Sequence, residues 1–154
     1  MRRLTQRALV VVVAALSIPG VALADNDRDD CTLKTLRGTY VFAASGHNIV
    51  AGVAQPKAII EVIEFHGDGT LSVPAATRSV NGLIARSLPG GAGDYTVEAG
   101  CEGTITFAGP GPTFDVFFSP RAEELWMIQT NPNTVFQGTA SRLLRDGLRE
   151  REEH

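Results

Sequence analysis

Between residues 37 and 144 the chain repeats one kind of unit, a short run rich in Val, Ile, Thr, Phe and Tyr that closes with Gly, Pro or Asn. Runs of this composition, separated by turn residues, are typical of short antiparallel β-strands. The pattern predicts nine strands, near residues 38–45, 57–65, 69–75, 79–86, 93–99, 103–109, 113–119, 123–130 and 135–143. No long helical pattern interrupts these runs, so parallel βαβ units are not expected.

Alternation within a run predicts which side chains share one face of the sheet. In the second run, the face that carries Glu61 is otherwise apolar and consists of Ile59, Ile63 and Phe65. The opposite face is also mostly apolar and carries one acid, Glu64. Two largely apolar faces suit a closed barrel with something packed outside it, such as another subunit.

These patterns predict an all-β fold, a single antiparallel β-barrel of about eight short strands that spans residues 37–144. Closing a sheet removes its exposed edges and leaves an interior that holds side chains or one small ligand. Residues 25–36 precede the barrel as an N-terminal segment. Residues 145–154 form a charged C-terminal tail that can make a short helix or fray.

The first 24 residues have the pattern of a cleaved signal peptide. Three arginines precede an apolar run at 8–18, and residues 22–24, Ala-Leu-Ala, have the small-x-small pattern that signal peptidase cuts. Pro19 and Gly20 break the apolar run before it reaches the roughly 20 residues needed to span a bilayer. We therefore predict cleavage after Ala24 and export to the periplasm or the extracellular space, with no stable membrane insertion afterwards.

The charge of the chain argues against nucleic acid as a partner. The formal net charge is −3, and the predicted signal peptide contains arginines but no acids, so the exported chain would be more acidic still. An acidic chain without a basic stripe cannot neutralise many phosphates.

Two cysteines, Cys31 and Cys101, lie far apart in the sequence. In an exported protein an even pair predicts one disulfide. Neither cysteine has a histidine close by in the sequence that would suggest a nucleophile or a metal ligand. We therefore predict a Cys31–Cys101 bond.

The stretch EFHGDGTLS, residues 64–72, places a histidine, an aspartate and two glycines close together. It lies between two strand-like runs, so Gly67 and Gly69 would supply the positive backbone angles of a tight hairpin, and Asp68 would cap the turn. A calcium or phosphate loop would need more oxygen ligands or more glycines. His47 and His66 lie on separate predicted loops, so neither a metal nor another cofactor is expected.

Three segments together resemble a group of small exported bacterial proteins: LKTLRGTYVF (33–42), EFHGDGTLS (64–72) and GDYTVEAGCEGTITF (93–107). That group combines a Gly-Thr-Tyr strand, a Phe-x-Gly-x-Gly-Thr turn and a Cys-x-Gly-Thr segment, and it has no assigned reaction. The resemblance implies a small antiparallel barrel of the allene oxide cyclase or lipocalin kind. It supplies no catalytic residue, because its shared elements are turn and strand positions.

Several side chains could form a site inside such a barrel. An interior Glu61 among apolar neighbours would have a raised pKa and could act as a general acid or base, with Tyr40 or Tyr95 as a hydrogen-bond donor. The more common outcome for such an acid is exposure to solvent or an ion pair with Arg78 or Arg86. Candidate ligand-binding residues outside this catalytic set are Trp126, Phe118 and, in a Gly-rich loop, His47.

No motif in the sequence defines a reaction, so enzymatic activity stays open. We expect a secreted or periplasmic barrel that binds a small apolar ligand or a partner protein, with a homo-oligomer as one form of partnership. The alternative is a cofactor-free cyclase or isomerase that uses an interior Glu and Tyr.

Overall fold

The structure is a computed structural model and describes residues 30–87 and 91–143. The predicted signal peptide (1–24), residues 25–29 of the N-terminal segment and the charged tail (145–154) lie outside these residues.

A short 3₁₀-helix, Leu33–Leu36, precedes nine strands. The strands are β1 (Gly38–Val50), β2 (Val53–Phe65), β3 (Thr70–Val80), β4 (Leu83–Ser87), β5 (Gly91–Tyr95), β6 (Glu102–Phe107), β7 (Thr113–Phe118), β8 (Glu124–Gln129) and β9 (Thr134–Arg142). Antiparallel pairing runs in the order β2-β1-β9-β8-β7-β6-β5-β3, and β3 pairs again with β2 to close the sheet. The prediction of an eight-stranded antiparallel barrel is confirmed.

The four strands at the start of the chain differ most from the predicted boundaries. Residues 46–56, predicted as a loop, continue β1 and β2 into a long hairpin that turns at Ala51–Gly52. The run at 79–86 is divided by an Asn81–Gly82 turn, where both residues have positive φ, 50° and 82°. The result is a ninth strand, β4, which pairs with residues 76–80 of β3 and is not one of the eight strands that close the barrel.

A β-bulge in β3 changes the face that its side chains occupy. Val62 of β2 lies opposite Ala75, while Glu64 lies opposite Ser72, so one residue of β2 faces two residues of β3, Val73 and Pro74. Proline is tolerated at a bulge because it has no backbone N–H to donate to the ladder. Odd-numbered residues of β3 point inward before the bulge, and even-numbered residues point inward after it.

The barrel is closed at the end where the 3₁₀-helix lies, and we call this the closed end. Edge-to-face aromatic contacts fill it: the Phe65 ring centroid lies 5.3 Å from that of Tyr40 and 5.0 Å from that of Tyr95. Leu36 of the 3₁₀-helix is fully buried against this cluster. Such contacts add to the free energy gained by burying the rings.

Arg142 ties the segments of the closed end together. Its guanidinium donates hydrogen bonds to the backbone carbonyl oxygens of Thr35, Arg37 and Ala122, at 2.8, 2.9 and 3.1 Å. The same group lies 5.0 Å from the centroid of the Tyr40 ring. One side chain of β9 therefore anchors the 3₁₀-helix and the turn between β7 and β8.

The outer face of the barrel exposes several large apolar side chains, among them Ile60, Ile84, Phe117, Trp126 and Ile128. The apolar outer surface agrees with the alternation pattern, but the homo-oligomer that it suggests stays a prediction.

Among the described residues, no helix has the length and apolar character required to cross a bilayer.

The predicted disulfide between Cys31 and Cys101 is confirmed, with the two Cα atoms 5.0 Å apart. It joins the segment before the 3₁₀-helix to the turn that precedes β6. Cys31 also donates its backbone N–H to the Ala99 carbonyl oxygen at 3.3 Å. The bond thus fastens the N-terminal segment over the closed end.

Removing this bond tests its contribution to stability. We expect the double variant Cys31→Ser, Cys101→Ser to lose about 4 kcal/mol of unfolding free energy, because the unfolded chain regains the entropy of a long open loop. Urea unfolding of the variant, beside wild type with and without reductant, measures the loss. Equal stability of all three samples would show that the bond contributes nothing.

Candidate functional site

An interior cavity of about 670 Å³ lies at the end of the barrel opposite the 3₁₀-helix. We call its opening the mouth. The long strands β1, β2 and β3 extend past the short strands β7 and β8 at this end. The side chains of these three long strands therefore form one continuous side of the cavity. The segment 108–112, between β6 and β7, forms part of the opposite wall.

Aromatic rings form much of the cavity wall. The four rings belong to Phe42, Phe107, Phe114 and Phe136, on four different strands. Phe114 contacts the other three, with centroid separations of 5.6 Å to Phe42, 6.0 Å to Phe107 and 6.3 Å to Phe136. The rings thus form one continuous apolar surface rather than isolated contacts.

Glu61 points into this cavity from the middle of β2 and is 8% exposed. It lies opposite Phe42 on β1 and Ala76 on β3, and neither of these side chains can pair with a carboxyl group. Burial raises the pKa of Glu61 to about 7, and it is the sole cause of the shift. In the described part of the chain, Glu61 has no ion-pair partner, so the expected pairing with Arg78 or Arg86 is wrong.

Lys57 lies four residues from Glu61 on the same face of β2, at the mouth. Its Nζ donates a hydrogen bond to Gln129 Oε1 at 2.8 Å and lies 3.9 Å from the centroid of the Phe136 ring. Gly46 separates Lys57 from Phe136 in the sheet. A Cβ at Gly46 would overlap the Val135 carbonyl oxygen, so only glycine allows this close approach.

Further polar side chains surround Lys57 at the mouth. Gln129 Nε2 donates to Asn131 Oδ1 at 3.0 Å, and the backbone N–H of Thr113 donates to the same oxygen at 2.8 Å. Arg78 also lines the cavity, because the bulge in β3 turns its side chain to the inner face opposite Ile59. Burial lowers the pKa of Lys57, and the positive charge of Arg78 lowers it further.

The two tyrosines predicted as donors for Glu61 do not line the cavity. Tyr40 is buried at the closed end, where its hydroxyl donates to the Ala122 carbonyl oxygen at 2.8 Å and burial raises its pKa to about 12. Tyr95 donates to the Leu33 carbonyl oxygen at 2.9 Å and accepts the Gly67 N–H at 3.0 Å. Both side chains join segments of the closed end, so their predicted proximity to Glu61 is wrong.

The predicted ligand-binding residues also lie elsewhere. Trp126 is 49% exposed on the outer face, so its expected place as an interior wall is wrong. Phe118 is buried in the core but does not line the cavity. His47 lies within strand β1 on the exposed outer side rather than in a loop, so that expectation is wrong as well.

The stretch at 64–72 forms the hairpin turn that the sequence predicts. Asp68 Oδ1 accepts hydrogen bonds from the Thr70 backbone N–H at 2.9 Å and the Thr70 hydroxyl at 2.7 Å. Gly67 and Gly69 have φ of 84° and 96°. Within residues 30–87 and 91–143 no group of three or more His, Cys, Asp or Glu side chains is arranged to hold a metal ion.

Alternation in the sequence could have indicated two cavity residues that were not predicted. Lys57 shares the odd-numbered face of Glu61, and Phe114 shares its strand face with Phe118. Arg78 could not be found by simple alternation, because the bulge at Pro74 reverses the faces of β3.

No protein-family model, curated protein or solved structure matches the chain.

Replacing Glu61 with glutamine tests whether the carboxyl is unpaired. Its pKa rises from 4.5 to about 7 on folding, so the folded state disfavours the ionised form and stability falls as pH rises between these two values. Glutamine keeps the volume and does not ionise. We expect Glu61→Gln to exceed wild type by about 2 kcal/mol at about pH 8 and to match it more closely at about pH 5.

Thermal and urea unfolding at both pH values measures this difference. Glu64→Gln, on the outer face of the same strand, is the matched control and should change stability little at either pH. A variant less stable than wild type at the higher pH would mean that the Glu61 carboxylate has a partner that the amide cannot replace.

Proposed function

We propose that this protein binds a small, largely apolar ligand inside the barrel. The observation that carries the proposal is the cavity of about 670 Å³ lined by four phenylalanine rings. A volume of this size lies within the roughly 300–1,000 Å³ usual for small-molecule sites, which are mostly apolar with a few polar groups that orient the ligand. A barrel made only for stability would fill this space with side chains.

The proposed setting is the periplasm or the extracellular space. The Cys31–Cys101 bond supports this, because disulfides persist mainly in oxidising compartments. In that setting the barrel would act by shielding an apolar molecule from water. Binding of a partner protein through the apolar outer face is a separate form of the same non-catalytic proposal.

Fluorescent phenylnaphthylamine, an uncharged apolar dye, provides a direct test of cavity binding. We expect saturable binding with a Kd on the order of 10 μM, since the dye can bury both ring systems against the phenylalanines. Ala76→Phe should weaken binding by at least about tenfold, because the new ring would occupy part of the cavity opposite Glu61.

The matched control is Ala75→Phe, which adds the same ring at the adjacent, exposed position on the outer face of β3. It should bind the dye as wild type does. If both variants bind equally well, the dye lies outside the barrel and the cavity proposal fails.

A second candidate function is a cofactor-free cyclase or isomerase that uses Glu61 as its acid or base. The specific observation in its favour is a buried carboxyl with a pKa of about 7 at the wall of the cavity, since a catalytic acid or base works best near the ambient pH. The placement of Tyr40 and Tyr95 at the closed end removes the donors first expected for this chemistry. Glu61 would have to act without them.

Base-promoted ring opening of nitrobenzisoxazole tests this second function. The Glu61 carboxylate would take the proton from the ring carbon, the N–O bond would break, and a coloured cyanophenolate would form. We expect the rate to rise with pH to a plateau above about pH 7 and to fall at least about 100-fold in Glu61→Gln.

The Glu64→Gln variant should react at the wild-type rate, because Glu64 points to the outer face. Equal rates for wild type and Glu61→Gln would show that a substrate cannot use this carboxylate, and the enzymatic candidate would be lost while the binding proposal stood.

A further inference from the structure

Two cationic side chains lie at the mouth of the cavity, a partly buried Lys57 and an exposed Arg78. Lys57 lies opposite Val80, and Arg78 lies opposite Ile59, so the two cations occupy diagonal positions on the inner face of neighbouring strands. Diagonal neighbours in an antiparallel pair are within reach of each other when their side chains are long. Both side chains line the cavity.

The Lys57 ammonium is held in place but is not saturated. It is half-buried, with Gln129 Oε1 at 2.8 Å and the Phe136 ring beneath it at 3.9 Å. An ammonium group has three N–H donors. Among the described residues, Gln129 Oε1 is the only polar atom that accepts a hydrogen bond from this ammonium group. The remaining N–H groups are therefore available to a molecule in the cavity.

No carboxylate balances these two charges within the part of the chain that the structure describes. Arg78, which has the same sign, lowers the pKa of Lys57, and the raised pKa of Glu61 is caused by burial with no contribution from either cation. The like charges of the partly buried Lys57 and the exposed Arg78 repel each other, and an anion placed between them would be attracted to both.

The position of the cations relative to the rings sets the chemistry of the ligand. Phe136 lies directly under Lys57, and the surface formed by Phe114, Phe107 and Phe42 continues from it into the barrel. A ligand that filled this space would place an apolar body among the rings and one end at the mouth. Arg and Lys side chains recognise carboxylate, sulfate and phosphate groups through charge-assisted hydrogen bonds.

We propose that Lys57 and Arg78 bind the anionic group of an amphipathic ligand whose apolar body lies in the phenylalanine-lined cavity. This proposal rests on the proposed cavity binding and narrows it to one class of ligand. The Gln129 amide holds Lys57 in position, and Asn131 in turn accepts a hydrogen bond from Gln129.

Two dyes with the same aromatic body separate the anionic contribution from the apolar one. Anilinonaphthalene sulfonate carries a sulfonate, and phenylnaphthylamine is its uncharged parent. We expect wild type to bind the sulfonate dye about tenfold more tightly than the parent, through contacts with the partly buried Lys57 and the exposed Arg78. Raising NaCl from about 0.05 M to about 0.5 M should weaken the binding of the sulfonate dye and leave the affinity for the uncharged parent unchanged.

The variants Lys57→Met and Arg78→Met remove one charge each and keep an unbranched apolar side chain. Each should reduce the preference for the sulfonate dye by about threefold or more, and the double variant should remove it, while the affinity for the uncharged parent changes little. Arg86→Met, an exposed arginine of β4 that does not line the cavity, is the matched control and should leave both affinities unchanged.

The outcomes separate this proposal from the one on which it rests. If the uncharged dye binds in the cavity but the sulfonate brings no preference, or a preference that survives in the double variant, the anion site is wrong and cavity binding stands. If neither dye distinguishes Ala76→Phe from Ala75→Phe, both proposals fail. Competition by decanoate and decyl phosphate against decanol then tells which anionic group the mouth prefers.

Discussion

The rest of the structure depends on the pairing of β2 with two partners at once, β1 on one side and β3 on the other. This double pairing closes the sheet, and it fixes the inner row of β2 along the full height of the barrel. Phe65 and Ile63 lie in the core of the closed end, Glu61 lies at the cavity wall, and Lys57 lies at the mouth. A shift of one residue in this pairing would move all of these side chains to the outer face. The same register therefore determines both the core and the cavity.

The closed end supplies the stability that the open end lacks. A cavity forgoes packing contacts, and a buried, unpaired Glu61 carboxyl opposes folding at neutral pH. At the opposite end, the disulfide, two of the hydrogen bonds donated by Arg142 and the Tyr95 hydroxyl fasten the N-terminal segment across the barrel. The third Arg142 bond and the Tyr40 hydroxyl hold the turn between β7 and β8 through the Ala122 carbonyl oxygen. Departures from an optimal core that are concentrated at one end are typical of a site rather than of poor packing.

Alternation of apolar residues was sufficient to predict the barrel and to place Glu61 on one face with Ile59, Ile63 and Phe65, because burial on one face imposes a strict period of two. It did not decide which face lies inside, so the burial of Glu61 was only one of the alternatives. It failed where the period is broken. The Asn81–Gly82 turn was a readable signal for the β3–β4 hairpin, but the bulge at Pro74 changes the face of Arg78 in a way that a single sequence does not specify. Long-range contacts, such as that of Lys57 with a ring two strands away, require the register between strands, which no local pattern contains.

Lys57 and Glu61 carry opposite charges on one face of one strand, and yet they do not pair. Four residues along a strand separate their Cα atoms by about 13 Å, and Lys57 is instead drawn sideways to Gln129 and Phe136. The cavity therefore keeps a cation at its mouth and an acid further inside, with aromatic rings between. A ligand with one anionic end can satisfy this arrangement in only one direction, because the reverse would place its anion against Glu61. If the cavity takes such a ligand as proposed, its polarity would orient the ligand with the anionic end at the mouth and the apolar end near the Glu61 carboxyl.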